Sequence, residues 1–582
     1  MNRNFFSLLS LLILTLSVMG CSNGGGGNNN PPAPSDPVPA SAMMIKMGAA
    51  SSPKYGSVFD AMTRDFERAG QPFEFTLYQN YYQLIDAFIK GEVDIAWNTP
   101  IAHARAVVLT DNDVIGPIAR DVDIQYTSHL IVRKDSGINT VQDIIGKAVA
   151  VGSIESQELN ILPCYYMKNL EGINLETQTT LINFNGLVDD QMNALSSATH
   201  ILNAVTSGFD LDGNVVQAGF VGEKVTRPIR SDPNSALKVI WISPGFTHCI
   251  MTTRRNYNPA LMKVFKDVLL AETLADPIGN QVLVDEGCDR LWFDSSNVRD
   301  EIAGFEDVLV AMEEYQTPLT STVVPDVRLG SLSTTEHILS LKALERYILR
   351  EGGPSFEFIL YGTQRQLDAA LMSGRIDMAW NEPKAHANML NQHGTSQIIA
   401  PLTTDTDKNY NFQVVVRKDS GLNTISDISG KRLILGGEDR AELSIIPRTQ
   451  LDLTNVNVIS RDGIIADETR KRLDLDQGIA DAVEDGEGDA GVVGEVLANK
   501  ITDDPASNLK VIHVSSAFSH RTMTALSTFN QTTLNQFSAL MEAMTLADPT
   551  GSVVLKNEFA TSFETHSNDG YNGLVDAIRN NK

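Results

Sequence analysis

The chain is poor in cysteine, with four in 582 residues, and no two of them form a CxxC pair. That excludes a disulfide-stapled scaffold and leaves no zinc knuckle or dithiol redox motif. It also lacks a basic surplus: 46 Lys and Arg stand against 72 Asp and Glu, a formal charge of −26. Such a balance disfavours a nucleic-acid partner and favours solubility, although a small pocket keeps its own local field. The one long apolar run, Phe5 to Met19, is too short and too near the N-terminus to read first as a membrane span. No GxSxG, HExxH, P-loop or dinucleotide fingerprint occurs in a suitable context, and Gly24 to Gly27 sit in a polar tether rather than a phosphate loop. Two acidic stretches, at 210–214 and 474–478, lack the full EF-hand pattern and read as solvated turns. The expectation is therefore no enzyme, no catalytic residue, no cofactor and no committed metal ligand.

Residues 1–21 have the layout of a secretion signal: basic Arg3, the apolar run, then small residues before Cys21. Val18-Met19-Gly20-Cys21 resembles a bacterial lipobox, which implies cleavage before Cys21 and lipidation of its thiol. Residues 22–43, rich in Gly, Asn and Pro, read as a flexible and extended tether. The expected address is the periplasmic or cell-surface face of a bacterial membrane, held there by the lipid. With Cys21 so used, Cys164, Cys249 and Cys288 remain; one Cys249–Cys288 bridge or three buried thiols are both open readings.

What the chain does have is repetition. Residues 75–103 read FTLYQNYYQLIDAFIKGEVDIAWNTPIAH, and residues 356–386 read FEFILYGTQRQLDAALMSGRIDMAWNEPKAH. Gly91, Asp94, Trp97, Asn98 and His103 recur at constant offset as Gly374, Asp377, Trp380, Asn381 and His386. Further on, QVVVRKDSGLNTISDISGKRLILGG answers LIVRKDSGINTVQDIIGKAVAVG, and KVIHVSSAFSHRTMTAL answers KVIWISPGFTHCIMTT. Collinear blocks over this length mean two copies of a whole domain, not a solenoid. The copies are placed at 44–314 and 326–582, with a linker at 315–325. Within each, short apolar runs alternate with amphipathic helical ones in a βαβαβ order, which predicts a mostly parallel sheet covered by helices.

Asp94-Ile95-Ala96-Trp97, the VRKDSG block at 132–137 and Gly146-Lys147 before an apolar strand resemble periplasmic solute-binding proteins of the phosphate/phosphite/phosphonate ABC transporter type. The resemblance covers both copies. It implies two tandem α/β periplasmic-binding-protein domains, type II-like, each of two lobes joined by a two-crossover hinge with ligand in the cleft between them. Lobe one is placed at 44–100 plus 237–314 and lobe two at 128–222; the second copy uses 326–384 plus 509–582, and 410–495. The implied function is capture of a small solute, a phosphonate- or phosphate-like oxyanion or a small organic molecule, for an ABC permease. The rival reading is a sensory or surface scaffold module, or a metal- or cation-binding protein.

Ligand candidates follow from position. Asp94 and Asp377 could receive an ammonium or hydroxyl group, or hold loop N–H groups. Trp97 and Trp380 end the same strand, as ligand walls or as core packing. Asn98 and Asn381, with Pro100 and Pro383 two places on, suit a helix cap. His103 and His386 then lie one turn inside the helix, able to point into a cleft. Phe246 with His248, and Phe518 with His520, add a second histidine to each copy; imidazole binds an oxyanion as His⁺, accepts a hydrogen bond or ligates metal. The second-lobe loop offers Ser153, Glu155 and Ser156 in copy one and Asp439 and Glu442 in copy two. The family resemblance implies small Ser, Thr or Gly residues there, so Glu155, Glu158, Asp439 and Glu442 depart from it. Glu382 for Thr99 and Lys384 for Ile101 make the two clefts differ.

Overall fold

Runs such as Ile45–Ala50 and Phe73–Tyr78 are apolar at most positions, the composition of strands buried on both faces. Between them, helix Tyr55–Arg68 turns Val58, Phe59, Met62 and Phe66 inward at helical spacing. In the computed structural model these runs form the expected strand, helix and strand. The structure describes residues 43–184, 198–210, 213–292, 305–321, 323–438, 440–461 and 475–580. The signal, Cys21, the tether and Asp439 lie outside the described residues. No helix among those described is long and apolar enough to cross a membrane.

The two copies share one twelve-stranded sheet. Its first half runs Leu291–Trp292, Val114–Arg120, Ile250–Arg254, Ile95–Asn98, Ile45–Ala50, Phe73–Tyr78; its second half continues with Phe356–Tyr361, Val327–Leu332, Met378–Asn381, Thr522–Leu526, Ile398–Thr404 and Phe563–Thr565. The halves are mirror images in strand order. They join where Phe73–Tyr78 pairs antiparallel with Phe356–Tyr361, in the register Tyr78 to Ile359, Leu77 to Leu360 and Thr76 to Tyr361. Arg365 with Glu74, and Arg375 with Glu92 and the Tyr78 hydroxyl, reinforce this seam. Apolar layers on the sheet's two faces each contain residues of both copies, so the core is continuous across the repeat boundary.

Each copy adds a five-stranded sheet. In the first the order is Thr180–Asn183, Ala148–Val151, Ala218–Gly222, Ser128–Arg133, Leu237–Ile242; in the second it is Asn457–Ser460, Arg432–Leu435, Ala490–Gly494, Phe412–Arg417, Leu509–Val514. The chain leaves the long sheet through residues 121–127 and returns through 243–249, and the two passages touch by an antiparallel bridge between Tyr126 and Phe246. Tyr410 and Phe518 repeat that bridge in the second copy. This corrects two lobe assignments: Leu237–Ile242 and Leu509–Val514 pair with the smaller sheets, because each hydrogen-bonds along the strand that enters the second lobe. Val114–Arg120 likewise belongs to the long sheet.

A closing helix straps each copy. Phe305–Glu314 packs on the first-lobe helix Pro100–Leu109 and on the second-lobe helix Leu162–Asn169, where the Tyr166 hydroxyl donates to Asp307 at 2.7 Å. Asn572–Asn580 lies in the same way against Pro383–His393 and Ile446–Gln450.

Candidate functional site

The repeated WN-x-P-x-AH block proves to be an internal support. Strand Ile95–Asn98 ends in Asn98, whose amide donates to the Thr252 hydroxyl at 2.9 Å; His103 Nδ1 meets the same hydroxyl at 2.8 Å. Asn381, Thr524 and His386 reproduce the arrangement at 2.9 and 2.9 Å, and His386 Nε2 also meets Asn568. All six side chains are buried. Burial alone pushes the His103 imidazole down to about 4, and burial first of all takes His386 down to about 3, so both are neutral. Neither asparagine caps the next helix: Thr99 does, accepting from the Ala102 N–H, while Glu382 takes that position without a side-chain bond. Trp97 packs with Tyr55 and Phe59, and Trp380 with His337 and Phe563, inside the core. Asp94 stands at the opposite end of its strand from Asn98 and accepts the Lys46 N–H; Asp377 does the same for Arg328 and pairs with its guanidinium.

The charged groups that converge lie at the passages between lobes. In copy one His248 Nδ1 is 3.1 Å from Asp123 Oδ1, and His248 Nε2 is 2.8 Å from Glu158 Oε2. Asp123 belongs to the outgoing passage, His248 to the returning one, and Glu158 to the second lobe. Tyr126 packs beside the imidazole with ring centres 4.6 Å apart. Gly222 makes room for it: a Cβ there would lie 2.0 Å from the Tyr126 hydroxyl. Glu158 sits in the π-helical turn Gln157–Ile161, a distortion that recurs at functional sites.

Copy two repeats the cluster with His520 Nδ1 2.7 Å from Asp407 and Nε2 3.7 Å from Glu442, beneath Tyr410 at 4.0 Å. Burial opposes charge on His520, but the Asp407 and Glu442 carboxylates outweigh it and lift the imidazole to about 9. Burial likewise opposes charge on Asp123, yet His248 and Arg120 hold it down at about 2; Asp407 is lowered further by Arg521 and His520. Asp476, read from sequence as part of a solvated turn, accepts the Gly494 N–H, and burial pushes it up to about 6.

The copies neutralise their buried acids from different chain positions. Arg120 bonds Asp123 and Glu286 in the first. In the second, Thr404 stands at the sister position and Arg521 bonds Asp407 and Glu558 instead. Cys249 occupies the place of Arg521. The three described cysteines are all free, so the Cys249–Cys288 bridge does not form, and Cys249 is only partly buried.

Between the lobes the copies part company. In copy one the fully buried Arg105 of the first lobe grips Glu155 of the second at 2.5 and 2.7 Å, stacks on Tyr82 and donates to the Pro318 carbonyl. The Ser153 and Ser156 hydroxyls accept the Glu155 and Leu159 N–H groups. Copy two has Asn388 in place of Arg105, and an interlobe cavity of about 420 Å³ lined by Lys384, Glu438, Ser444, Ile445, Arg448 and Ile578. Lys384 comes from the first lobe and Arg448 from the second. Phe246 and Phe518 flank the passages through their bridges to Tyr126 and Tyr410. Sequence reasoning missed Tyr82, Arg105, Asp123 and Tyr126. Extending the VRKDSG comparison upstream pairs DVDIQY with DTDKNY and would have exposed Asp123 and Tyr126 beside Asp407 and Tyr410.

The family model for periplasmic substrate-binding proteins of phosphonate ABC transporters matches residues 49–291 and again 333–571. Among solved structures, PhnD1 of Prochlorococcus marinus in complex with methylphosphonate aligns over 47% of this chain and 99% of its own, at 15% identity and a TM-score of 0.37. XAC2383 of Xanthomonas citri bound to ATP aligns over 47% and 98%, at 15% and 0.36. A binding-protein component of a phosphonate ABC transporter from Pseudomonas aeruginosa aligns over 53% and 96%, at 18% and 0.34. Since the family model covers most of both repeats, this chain belongs to the periplasmic substrate-binding proteins of phosphonate ABC transporters, a family of binding modules rather than enzymes.

Proposed function

We propose that the protein is a lipid-anchored extracytoplasmic receptor in which each repeat is a type II-like binding domain, hinged at its two passages, and that it captures a small oxyanion of phosphonate or phosphate type for an ABC importer. The supporting observation is the interlobe cavity of copy two, which takes one cation from each lobe, Lys384 and Arg448. Its size suits a small solute, and a bridging oxyanion gains from both cations only when the lobes approach. His520, charged at neutral pH, lies at the hinge, where a ligand oxyanion would compete with Glu442 for it. The groups proposed for the clefts are Ser153, Ser156, Glu158 and His248 in copy one and Lys384, Glu442, Arg448 and His520 in copy two. The anchor would be Cys21.

Native mass spectrometry of protein purified gently from its own host tests this. A retained mass of phosphonate or phosphate type, lost in Lys384→Ala/Arg448→Ala, is expected. A bare protein that also shows no uptake of added phosphonates or phosphate would overturn the transport reading. A second reading, in which copy one serves as a fixed scaffold or sensory module, is favoured by the buried Arg105, because its bidentate ion pair with the partly exposed Glu155 across the cleft opposes opening.

A further inference from the structure

We propose that the hinge of the first repeat holds one soft or borderline divalent cation, of the zinc type, through His248, Cys249 and Asp123. Three donors of different chemistry meet there: His248 Nδ1 lies 3.1 Å from Cys249 Sγ and 3.1 Å from Asp123 Oδ1, and the three atoms fall within 4.8 Å of one another. Ligands about 2.0–2.3 Å from a tetrahedral ion stand about 3.3–3.7 Å apart, so small shifts of side chains seat the ion. Imidazole, thiolate and carboxylate together select a zinc-type ion over calcium or magnesium.

The surroundings suit such a site. His248 Nε2 is held by Glu158 at 2.8 Å, which turns Nδ1 toward the other two donors, the carboxylate–histidine–metal arrangement of metal centres. Arg120 grips both oxygens of Asp123, Oδ2 at 2.6 Å and Oδ1 at 2.7 Å, and so fixes the plane of the carboxylate while sharing Oδ1. Cys249 is partly exposed, which leaves an entry path.

The second repeat is the internal comparison. There the position of Cys249 belongs to Arg521, whose Nε donates to Asp407 at 3.2 Å, so the locus already delivers a positive charge to the aspartate. The first repeat brings its guanidinium from Arg120 and frees that locus for a thiol. An ion bound there ties the outgoing passage, through Asp123, to the returning one, through His248 and Cys249, and stiffens the first hinge. The second repeat, having no thiol there, takes none.

Titration of the purified, metal-stripped protein with Co²⁺ alone, followed by competition with Zn²⁺, tests the site. One equivalent of Co²⁺ is expected, with the d–d bands of a tetrahedral ion and a sulfur-to-cobalt charge-transfer band. Cys249→Ser and Cys249→Arg abolish that band, Cys164→Ser/Cys288→Ser leaves it, and Glu158→Gln weakens binding about 10–100-fold. In the unaltered protein Zn²⁺ slows alkylation of Cys249, read by peptide mapping, at least about tenfold, since the bound thiolate is no longer free to react; this arm does not depend on any variant folding. Absence of stoichiometric Co²⁺ binding, a charge-transfer band that survives Cys249→Ser, or alkylation unchanged by Zn²⁺ would each overturn the proposal.

Discussion

Thr252 and Thr524 carry more than their size suggests. Each hydroxyl accepts from an asparagine amide and meets a histidine Nδ1 inside the core. Thr252→Val leaves two buried polar groups unpaired and is expected to lower unfolding stability by about 1–3 kcal/mol in urea titrations, with solute uptake unchanged. The histidines add a pH signature. Their folded values, about 4 and about 3, lie below the ordinary 6.5, so the neutral rings contribute stability above 6.5 that is lost as pH falls toward 4. For His103 alone the loss reaches about 3 kcal/mol at the acid end, and His103→Gln should flatten that limb. Glu272 has the opposite sign. It is buried with both carboxylate oxygens unbonded, and burial first, then Asp65 and Asp276, pushes it up to about 9. Stability is thus lost as pH rises from 4.5 toward 9. The second repeat carries Met544 at this place, as the following Asp276-Pro277 and Asp548-Pro549 helix starts show, and Met544 is core. Glu272→Met should stabilise the protein by about 3 kcal/mol at neutral pH, and less in acid.

At the scale of elements, the π-helical turn and the passages decide which side chains meet. Glu158 and Glu442 lie in such turns, 90 and 78 residues before their histidines, and no local pattern links them. The Arg105–Glu155 pair joins a first-lobe helix to a second-lobe loop. Arg105→Met leaves the partly exposed Glu155 with only the Tyr82 hydroxyl as a side-chain partner and is expected to cost about 1–2 kcal/mol. Hydrogen exchange should accelerate in Pro100–Leu109 and Gln157–Ile161 together; faster exchange confined to one of them would argue that the pair does not couple the lobes. In the second repeat the His520 contacts should persist at neutral pH and fade as pH rises through about 9, because a raised imidazole loses its charge there. Limited proteolysis of that repeat across this range would register the loosening.

For the molecule as a whole, the seam between Phe73–Tyr78 and Phe356–Tyr361 turns two domains into one cooperative body. A first repeat cut off within the linker would expose the Phe73–Tyr78 edge with its unpaired N–H and C=O groups, a surface that seeks another strand. It is expected to dimerise through that edge, seen as a doubled mass in light scattering, whereas the intact chain stays monomeric and melts in a single transition. Two resolved transitions in the intact chain would show the seam to be energetically minor.

Much of this was legible in the residues. Duplication, strand and helix order and the family resemblance all follow from collinear blocks and local periodicity, which depend on near neighbours in the chain. Even the kept motif was visible, but its meaning was not: Asn98, Trp97 and His103 recur because both cores need them, and recurrence does not distinguish a support from a site. What tertiary structure alone decided was which lobe each strand joins, the shared twelve-stranded sheet, the exchange of Arg120 for Arg521, and the meeting of Asp123, Glu158 and His248. Those groups are brought together by strand pairing and chain crossing over distances at which sequence carries no periodic signal, and only the folded geometry sets their charges against one another.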